Sequence, residues 1–509
     1  MAVPTRRAPL AFVLALGLGL AACSPEAGPG DRSETRSRPV SEAQAQSALA
    51  DFGLEEQGRA SWSERRFERG AYVFTDFAMT LEDGRLTANE LTLTGPQRLE
   101  NQPFFTALDL QNAVIEAPDG TVSADSLSLV EPSVTLARKV ADLFRGVDSL
   151  DDLETNRSGF GFARLELAAL AMQFENKPAN TLSLTLDALV LEGFEDGETL
   201  QSGQLNALTL NGQDDAGGPL SMSLGEMQVR NVQLNGLETG SPLGVSLMSP
   251  DQAPYETLSV QDLLVSAGGV AITLPDLSAS VETLGNGVLS SQLDLPSLTL
   301  SPAPGHPQSA EIDRSFDMLG YEQLELSASG ESRYDPQTDR AWTEGANVIR
   351  LVDGLSLSFE QDLSGLSAYA AQAEELSNGK PGATMDPARL MAPLMIHSFS
   401  LQLTDESLME RITSQIAQRS GVSEQQARVQ LGAMARMGLA FAGAQLPAGL
   451  VDQAGPALDR FINTGGVLTV EMTPETPVSA AAFTAYPAPD AQTLGLRITH
   501  EGGDAPEPK

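Results

Sequence analysis

A repeated strand-like phrase constrains the fold of this chain more than any other feature. The residues from Asp83 to Leu93 align with those from Asp119 to Leu129, at an offset of 36 residues. In both copies an Asp-Gly pair accompanies residues that alternate between apolar and polar side chains. Asp-Gly between alternating runs is a strong signal for a β-hairpin. The repeat therefore predicts hairpins that recur along the chain.

A shorter phrase, apolar-x-x-apolar-x-apolar, recurs farther along at intervals of 19 residues. It occupies Leu186-Leu189-Leu191, Leu205-Leu208-Leu210 and Leu224-Met227-Val229, with related phrases at Leu274-Leu277 and Leu295-Leu298-Leu300. Leucine-rich repeats open with the same phrase, but the Asn or Cys followed by Leu that they require next is missing. Alternation instead favours an antiparallel meander with its apolar side chains on one face. The predicted fold class is mainly β with α additions (α+β): an elongated, curved antiparallel β-meander of repeated hairpins, with a helical segment near the C-terminus.

Helical periodicity appears in a few segments between the strand-like runs. Ser41 is a suitable N-cap for a helix over 42–52, and Gly53 would end it. Near the C-terminus, Ser423 opens a capping box after the helix stop at Gly421. The predicted helices cover 42–52, 135–144 and 366–376, and further helices lie between 408 and 462. Strand-like runs follow at 467–470 and 494–498, so these last helices are expected to be inserted into, or capped onto, the β framework.

The N-terminus has the composition of an export signal. A short segment with two arginines precedes an apolar, uncharged run from Ala8 to Gly19, and Leu20-Ala21-Ala22-Cys23 follows. The run is shorter than the about 20 apolar residues that a transmembrane helix needs. The last four residues resemble the bacterial lipobox. The resemblance implies cleavage between Ala22 and Cys23, lipidation of Cys23 and a membrane anchor of more than one acyl chain.

These patterns divide the chain into segments of different character. They are a lipoprotein signal peptide (1–22), a lipidated disordered tether (23–40), a β-repeat region with short helices (41–302), a Pro-rich loop or linker (303–316), a continuing β region (317–400), a helical insert with terminal strands (401–500) and a disordered tail (501–509). The expected location is the cell envelope, with the outer membrane favoured over the inner one and the protein facing the periplasm.

The charge of the chain limits its partners. The formal net charge is −37, and lysines are scarce. Nucleic acid is excluded as a partner because its phosphates would be repelled, and anionic head groups would be repelled as well. Contact with a membrane is therefore expected through the lipid anchor. Cys23 is the only cysteine, so disulfides and a catalytic cysteine are excluded.

No catalytic or metal-binding motif is recognisable. The histidines are His306, His397 and His500, and no two of them have the spacing of metal ligands. Solvated or capping roles are predicted for them, with no metal, no cofactor and no enzymatic activity. Asp and Glu are plentiful, so a hydrolase with a paired carboxylate site is kept as a third hypothesis.

Three other clusters have competing interpretations. The acidic loops at Asp214-Asp215 and Glu195-Asp196-Gly197-Glu198 could bind calcium, but turn chemistry is the favoured explanation. The segment from Trp62 to Arg69 could contact phosphates or an acidic partner, and local pairing with Glu64 and Glu68 is favoured. The Met and Phe side chains of the last helices could line an adaptable apolar groove, and a packed core is favoured.

The run of Leu/Ser/Thr strands with Gly-marked turns behind an export signal resembles AsmA-like and YdgA-like periplasmic proteins over about residues 70–500. The resemblance implies a curved sheet whose apolar concave face holds acyl chains. Two functions follow as hypotheses. The first is a noncatalytic envelope lipoprotein that scaffolds a partner or supports envelope integrity. The alternative is a carrier of lipid or lipoprotein, and an apolar face left open by the helices would favour it.

Overall fold

The computed structural model describes residues 40–82, 84–147, 158–177, 180–214, 217–234, 253–377, 387–442, 447, 449–484 and 489–502. The chain divides into two compact units, Met1–Ser241 with Pro254–Gly268 and Pro242–Ala253 with Gly269–Lys509. It is mainly β, with antiparallel hairpins and with helices near the C-terminus, so the predicted meander is confirmed. The predicted signal peptide, Cys23, almost all of the tether and most of the tail lie outside the described residues.

The first unit contains an antiparallel sheet whose long strands follow one another in chain order. Both β1 and β2 pair with β3, and each later strand pairs with the next one, from β3 through β4 and β7 to β13. The short strands β5 and β6 pair with each other. The bounds are β1 (Ala60–Ser61), β2 (Glu64–Glu68), β3 (Ala71–Leu81), β4 (Gly84–Thr94), β5 (Gln97–Leu99), β6 (Gln102–Phe104), β7 (Ala107–Ala117), β8 (Gly120–Val130), β9 (Phe162–Lys177), β10 (Asn180–Glu195), β11 (Thr199–Gln213), β12 (Pro219–Gln233) and β13 (Thr257–Ala267).

Two helices of this unit begin and end where the sequence predicts. Helix α1 (Glu42–Leu49) has a capping box at Ser41, and a 3-10 turn (Ala50–Phe52) carries it to Gly53, which is left-handed at φ 65°. Helix α2 (Val134–Arg145) is amphipathic, and its Phe144 packs against Phe77 with ring centroids 6.3 Å apart. Helix α2 therefore covers part of the apolar face of the sheet.

The two Asp-Gly pairs mark hairpins as predicted, but their glycines belong to strands and not to turns. Leu81 pairs with Gly84 and Ala117 with Gly120, so each glycine is the first residue of its strand. A Cβ atom on Gly84 would lie 2.3 Å from the carbonyl oxygen of Glu116, and one on Gly120 would lie 2.2 Å from that of Gln173. Glycine is required here because the adjoining strand approaches so closely.

A line of irregular residues crosses this sheet, and one of them lies within the apolar-x-x-apolar phrase Leu205-Leu208-Leu210. One residue each in β3, β7, β9, β11 and β13 has a left-handed backbone with φ between 50° and 54°: Asp76, Asn112, Ala169, Ala207 and Asp262. The register with the neighbouring strand is the same before and after each irregular residue. Each irregularity reverses the alternation of side chains, so residues three apart, such as Leu167 and Leu170, are both buried. Simple alternation was therefore an incomplete prediction for these strands.

The second unit also contains antiparallel strands in chain order, with helices inserted between them. Helices α4 and α5 separate the paired strands β19 and β20, and helices α6 to α8 separate β20 from its partner β21, as the predicted insert requires. Its strands are β14 (Val270–Thr283), β15 (Leu289–Pro302), β16 (Leu324–Asp335), β17 (Arg340–Thr343), β18 (Asn347–Leu351), β19 (Leu355–Ser364), β20 (Met395–Asp405), β21 (Gly466–Met472), β22 (Val478–Ser479) and β23 (Leu496–Glu501). Its helices are α3 (Ser309–Leu319), α4 (Leu366–Ser377), α5 (Pro387–Met391), α6 (Leu408–Ser420), α7 (Glu424–Ala442) and α8 (Leu450–Thr464), with a 3-10 helix at Ala480–Thr484.

The prediction of a loop or linker over 303–316 is wrong for its second half. Helix α3 begins at Ser309, because the three prolines that suggested a loop all precede that residue. Its Ile312 and Phe316, four residues apart, are partly buried on one side of the helix. The boundary between the two compact units at Gly268 and Gly269 also lies outside this segment.

Candidate functional site: an uncharged, open sheet face

Strands β15 to β19 have two chemically different faces. Their charged residues, such as Asp294 and Glu331, lie on one face, where Arg340 donates to Asp362 at 2.7 Å. The opposite face is built from Leu, Ile, Phe, Ala, Tyr334 and small or amide side chains, and no charged residue of these five described strands points to it. We call this second surface the apolar face.

Strand pairing places the apolar residues in rows across this face. Leu295 pairs with Ala328, Ala328 with Ile349, and Ile349 with Leu357. Neighbouring strands are about 4.8 Å apart, so this row spans roughly 14 Å. Leu293 and Phe359 belong to the next row. We call these six residues the open band: Leu293, Leu295, Ala328, Ile349, Leu357 and Phe359.

The open band is not buried as a packed core would be. All six side chains are partly exposed, and Ile349 retains 46% of its surface. By contrast, Phe74 and Leu91 in the core of the first unit are 0% exposed. Contiguous exposed apolar surface is unfavourable in water, and where it persists it marks a ligand or partner surface.

Helices cover the apolar face at both ends of the strands and leave the open band between them. At one end, Ala457 and Phe461 of α8 pack on Leu468, together with Leu355 of β19. At the other end, Leu366 of α4 packs on Tyr334 and Ala341. Along β19, Leu357 and Phe359 fall between these two clusters. The C-terminal helices therefore do not close this face.

Tyr321 and Arg411 fasten helix α6 to the turn between β18 and β19. The Tyr321 hydroxyl and Arg411 Nε both donate to the carbonyl oxygen of Asp353, at 2.9 and 3.0 Å. The Arg411 guanidinium also lies 4.8 Å from the centre of the Tyr321 ring. Burial raises the pKa of Tyr321, and the smaller effect of Arg411 opposes it. These contacts hold α6 beside the turn between β18 and β19.

The apolar face of the first unit also becomes more exposed along its strands. Its β3 and β4 residues are deeply buried, as Phe77 at 1% and Leu93 at 0% show. Residues at the same face of the last strands, including Leu210, Met222 and Val265, are only partly buried. This unit therefore has a packed first half and a partly open second half.

The Met and Phe side chains of helix α7 are exposed, so the favoured prediction of a packed core is wrong for them. Exposure is 54% for Met434, 57% for Met437 and 81% for Phe441, and Val429 is exposed at 61%. The other side of the helix makes the contacts: Arg428 donates to the carbonyl oxygen of Ile462 at 2.8 Å. Helix α7 thus presents an apolar stripe to its surroundings.

The histidines singled out in the sequence have local roles. His306 Nδ1 accepts from the backbone N–H of Gln308 at 3.1 Å, in the turn before α3. His397 Nε2 lies 2.8 Å from the Ser364 hydroxyl. His500 Nε2 donates to the carbonyl oxygen of Gly465 at 2.8 Å. The bonds of His306 and His500 are at helix ends, as the capping interpretation predicts, whereas His397 joins two strands.

The basic and aromatic segment from Trp62 to Arg69 pairs locally, as favoured. Arg65 lies 5.8 Å from the Trp62 ring and donates to the carbonyl oxygen of Glu55. Arg66 forms an ion pair with Glu68 at 3.0 Å. These cations are therefore already engaged within the protein.

The acidic loops are turns in the part of the chain that the structure describes. The Gly218 N–H donates to the Asp214 carboxylate at 2.9 Å, while Asp215 lies outside the described residues. In the second loop, the Glu198 N–H donates to the Glu195 carbonyl at 3.0 Å. Turn chemistry is the better explanation for both.

Among the described residues, no Asp or Glu is buried, and no three His, Cys, Asp or Glu are placed to hold a metal ion. Over the same residues, no helix combines the length and the apolar character needed to cross a bilayer. The open band includes residues, such as Ile349, that the sequence did not single out.

Comparison with known proteins adds little to this site. Residues 348–501, from β18 to the end of β23, match a family whose description is "Uncharacterized protein". No curated protein matches the chain. The matched segment contains Ile349, Leu357 and Phe359 of the open band.

Proposed function

We propose that the protein is a noncatalytic, lipid-anchored carrier that binds the acyl chains of a lipid or lipoprotein on the open band. The observation that carries the proposal is an uncharged apolar face that the surrounding helices leave uncovered at Ile349. Lipidation of Cys23 would hold the carrier at a membrane of the cell envelope.

Acyl chains fit this surface because binding would remove apolar area from water on both partners. Burial of a methylene group is worth about 0.8 kcal/mol. A row of roughly 14 Å is long enough to hold part of one chain against Leu295, Ala328, Ile349 and Leu357. The charged residues on the other face of the same strands would remain in water.

A charge placed in the open band tests this proposal. Ile349→Lys should abolish binding of the hydrocarbon probe diphenylhexatriene, because the ammonium group would have to be desolvated beside the probe. The chain should stay folded, since Ile349 is 46% exposed. Val348→Lys is the matched control, because Val348 lies on the other face of the same strand. Equal probe binding by both variants would refute the proposal.

The exposed stripe of helix α7 favours a second function, scaffolding of a partner protein in the envelope. Met434, Met437 and Phe441 form a flexible apolar surface of the kind that accepts a partner. A photo-crosslinking residue at position 437 tests this function in living cells. One discrete cross-linked product, absent when the residue is placed at Gln425 at the start of the helix, would support scaffolding. Unselective products at both positions would contradict it.

A further inference from the structure

Three buried polar groups on the apolar face lack a hydrogen-bond partner among the described residues. They are the hydroxyl of Ser291, the amide nitrogen Nδ2 of Asn347 and the amide nitrogen Nε2 of Gln361. Their residues are 0%, 1% and 7% exposed. Buried polar atoms in native proteins nearly always have a partner, so three exceptions on one face require an explanation.

Strand pairing brings these three groups into one neighbourhood. Ser291 pairs with Ser332, and Ser332 pairs with Thr343. The Thr343 hydroxyl accepts from the backbone N–H of Gln361 at 3.0 Å, which places Gln361 at the end of the same row. Asn347 pairs with Phe359, two residues before Gln361 on β19. We call Ser291, Asn347 and Gln361 the polar cluster.

The polar cluster borders the open band directly. Each of its members has an open-band residue two positions away on its own strand, and hence on the same face. The pairs are Ser291 with Leu293, Asn347 with Ile349, and Gln361 with Phe359. A molecule lying along the open band would therefore bring one end to these polar groups.

The available atoms of the polar cluster are donors. The Asn347 side-chain oxygen is occupied, because it accepts from the backbone N–H of Glu331 at 2.9 Å. This leaves the amide N–H groups of Asn347 and Gln361, with the Ser291 hydroxyl able to donate as well. No charged side chain of β15 to β19 lies on this face. The complementary group is therefore a hydrogen-bond acceptor, such as a carboxyl or ester oxygen.

We infer that Ser291, Asn347 and Gln361 bind the carboxyl or ester oxygens of an acyl ligand whose chain lies on the open band. The inference rests on the proposed carrier function and names the part of the ligand that the carrier recognises. A free fatty acid and an esterified lipid share this acceptor chemistry, and the experiment separates them.

Gln361→Met tests the inference, because Met keeps the length of Gln and lacks its N–H groups. The chain from residue 24 onward, which retains every described residue, is titrated with three fluorescent probes. Diphenylhexatriene has no oxygen, cis-parinaric acid has a free carboxyl group, and its methyl ester has only the ester. We expect Gln361→Met to weaken binding of an oxygen-containing probe about fivefold, the loss of one hydrogen bond, and to leave diphenylhexatriene binding unchanged.

The pattern among probes identifies the ligand class. Weaker binding of the acid alone indicates recognition of a free carboxyl group, and weaker binding of both oxygen-containing probes indicates recognition of the shared carbonyl. Gln402→Met is the control, since Gln402 is exposed on the other face of β20. Ser291→Ala, the smallest change in the polar cluster, should act in the same direction as Gln361→Met.

Two results would overturn the inference, and they are distinguishable. If each probe binds the wild type, Gln361→Met and Ser291→Ala with an unchanged affinity, recognition of the acceptor is refuted and the carrier function stands. Failure of every probe to bind the wild type would refute both the carrier function and the inference.

Discussion

Gln361→Met should have opposite effects on the ligand-free and the ligand-bound protein. In the ligand-free protein the Gln361 Nε2 group is buried without a partner, and such a group costs about 1–3 kcal/mol. Met has nearly the same volume, so the exchange should leave little strain. We therefore expect the delipidated variant to gain about 1–2 kcal/mol in free energy of unfolding. For a unit of this size, that gain corresponds to a rise in Tm of roughly 2–8 °C.

The ligand-bound form should respond in the other direction. A saturating acyl ligand stabilises the wild type by mass action, and the variant binds that ligand more weakly. The rise in Tm on adding cis-parinaric acid should therefore be smaller for Gln361→Met than for the wild type. Differential scanning calorimetry of delipidated and loaded samples measures both effects. A lower Tm for the delipidated variant, with Gln402→Met unchanged within about 0.5 kcal/mol, would refute the claim that this amide lacks a partner.

Three further predictions concern the framework of the two units. Ala207→Gly should stabilise the first unit by about 0.5–1 kcal/mol, because Ala207 has a left-handed backbone. Ala188→Gly in the neighbouring strand should destabilise the unit by a similar amount. If chemical denaturation gives changes of the same sign for both variants, the left-handed backbone at Ala207 is contradicted. Tyr321→Phe should cost about 1 kcal/mol through the lost hydrogen bond to Asp353. Unchanged stability would show that this bond does not stabilise the turn between β18 and β19. Burial raises the pKa of Tyr321. The neutral side chain therefore contributes to folding stability fully below the unfolded pKa of about 10, and this contribution is lost as pH rises through the folded pKa. Stability measured between pH 8 and 11 should fall less in Tyr321→Phe than in the wild type.

Local sequence signals were sufficient for the elements whose stabilising contacts are close in the chain. Ser41 and Gly53 bound helix α1 and its 3-10 extension because both caps act within one turn. The apolar-x-x-apolar phrase correctly indicated recurring strands. The irregular residue Ala207 inside the copy at Leu205-Leu208-Leu210 was missed, because alternation alone does not predict a left-handed residue in a strand.

The functional surface could not be predicted in the same way. Ser291, Asn347 and Gln361 are far apart in the sequence, and only the register of β15 to β19 brings them together. Helical spacing correctly placed Met434 and Met437 on one stripe, but amphipathic helices with packed and with exposed stripes have the same pattern. Whether such a stripe is covered depends on tertiary packing, which cannot be predicted from the periodicity of one helix.

Native mass spectrometry of the chain from residue 24 onward, purified from a cell envelope without detergent and followed by lipid extraction, tests the carrier function most directly. We expect a defined mass increment that corresponds to bound lipid in the wild type, and its loss in Ile349→Lys. A clean ligand-free mass for the wild type, or the same increment in both proteins, would contradict the claim that the open band binds acyl chains.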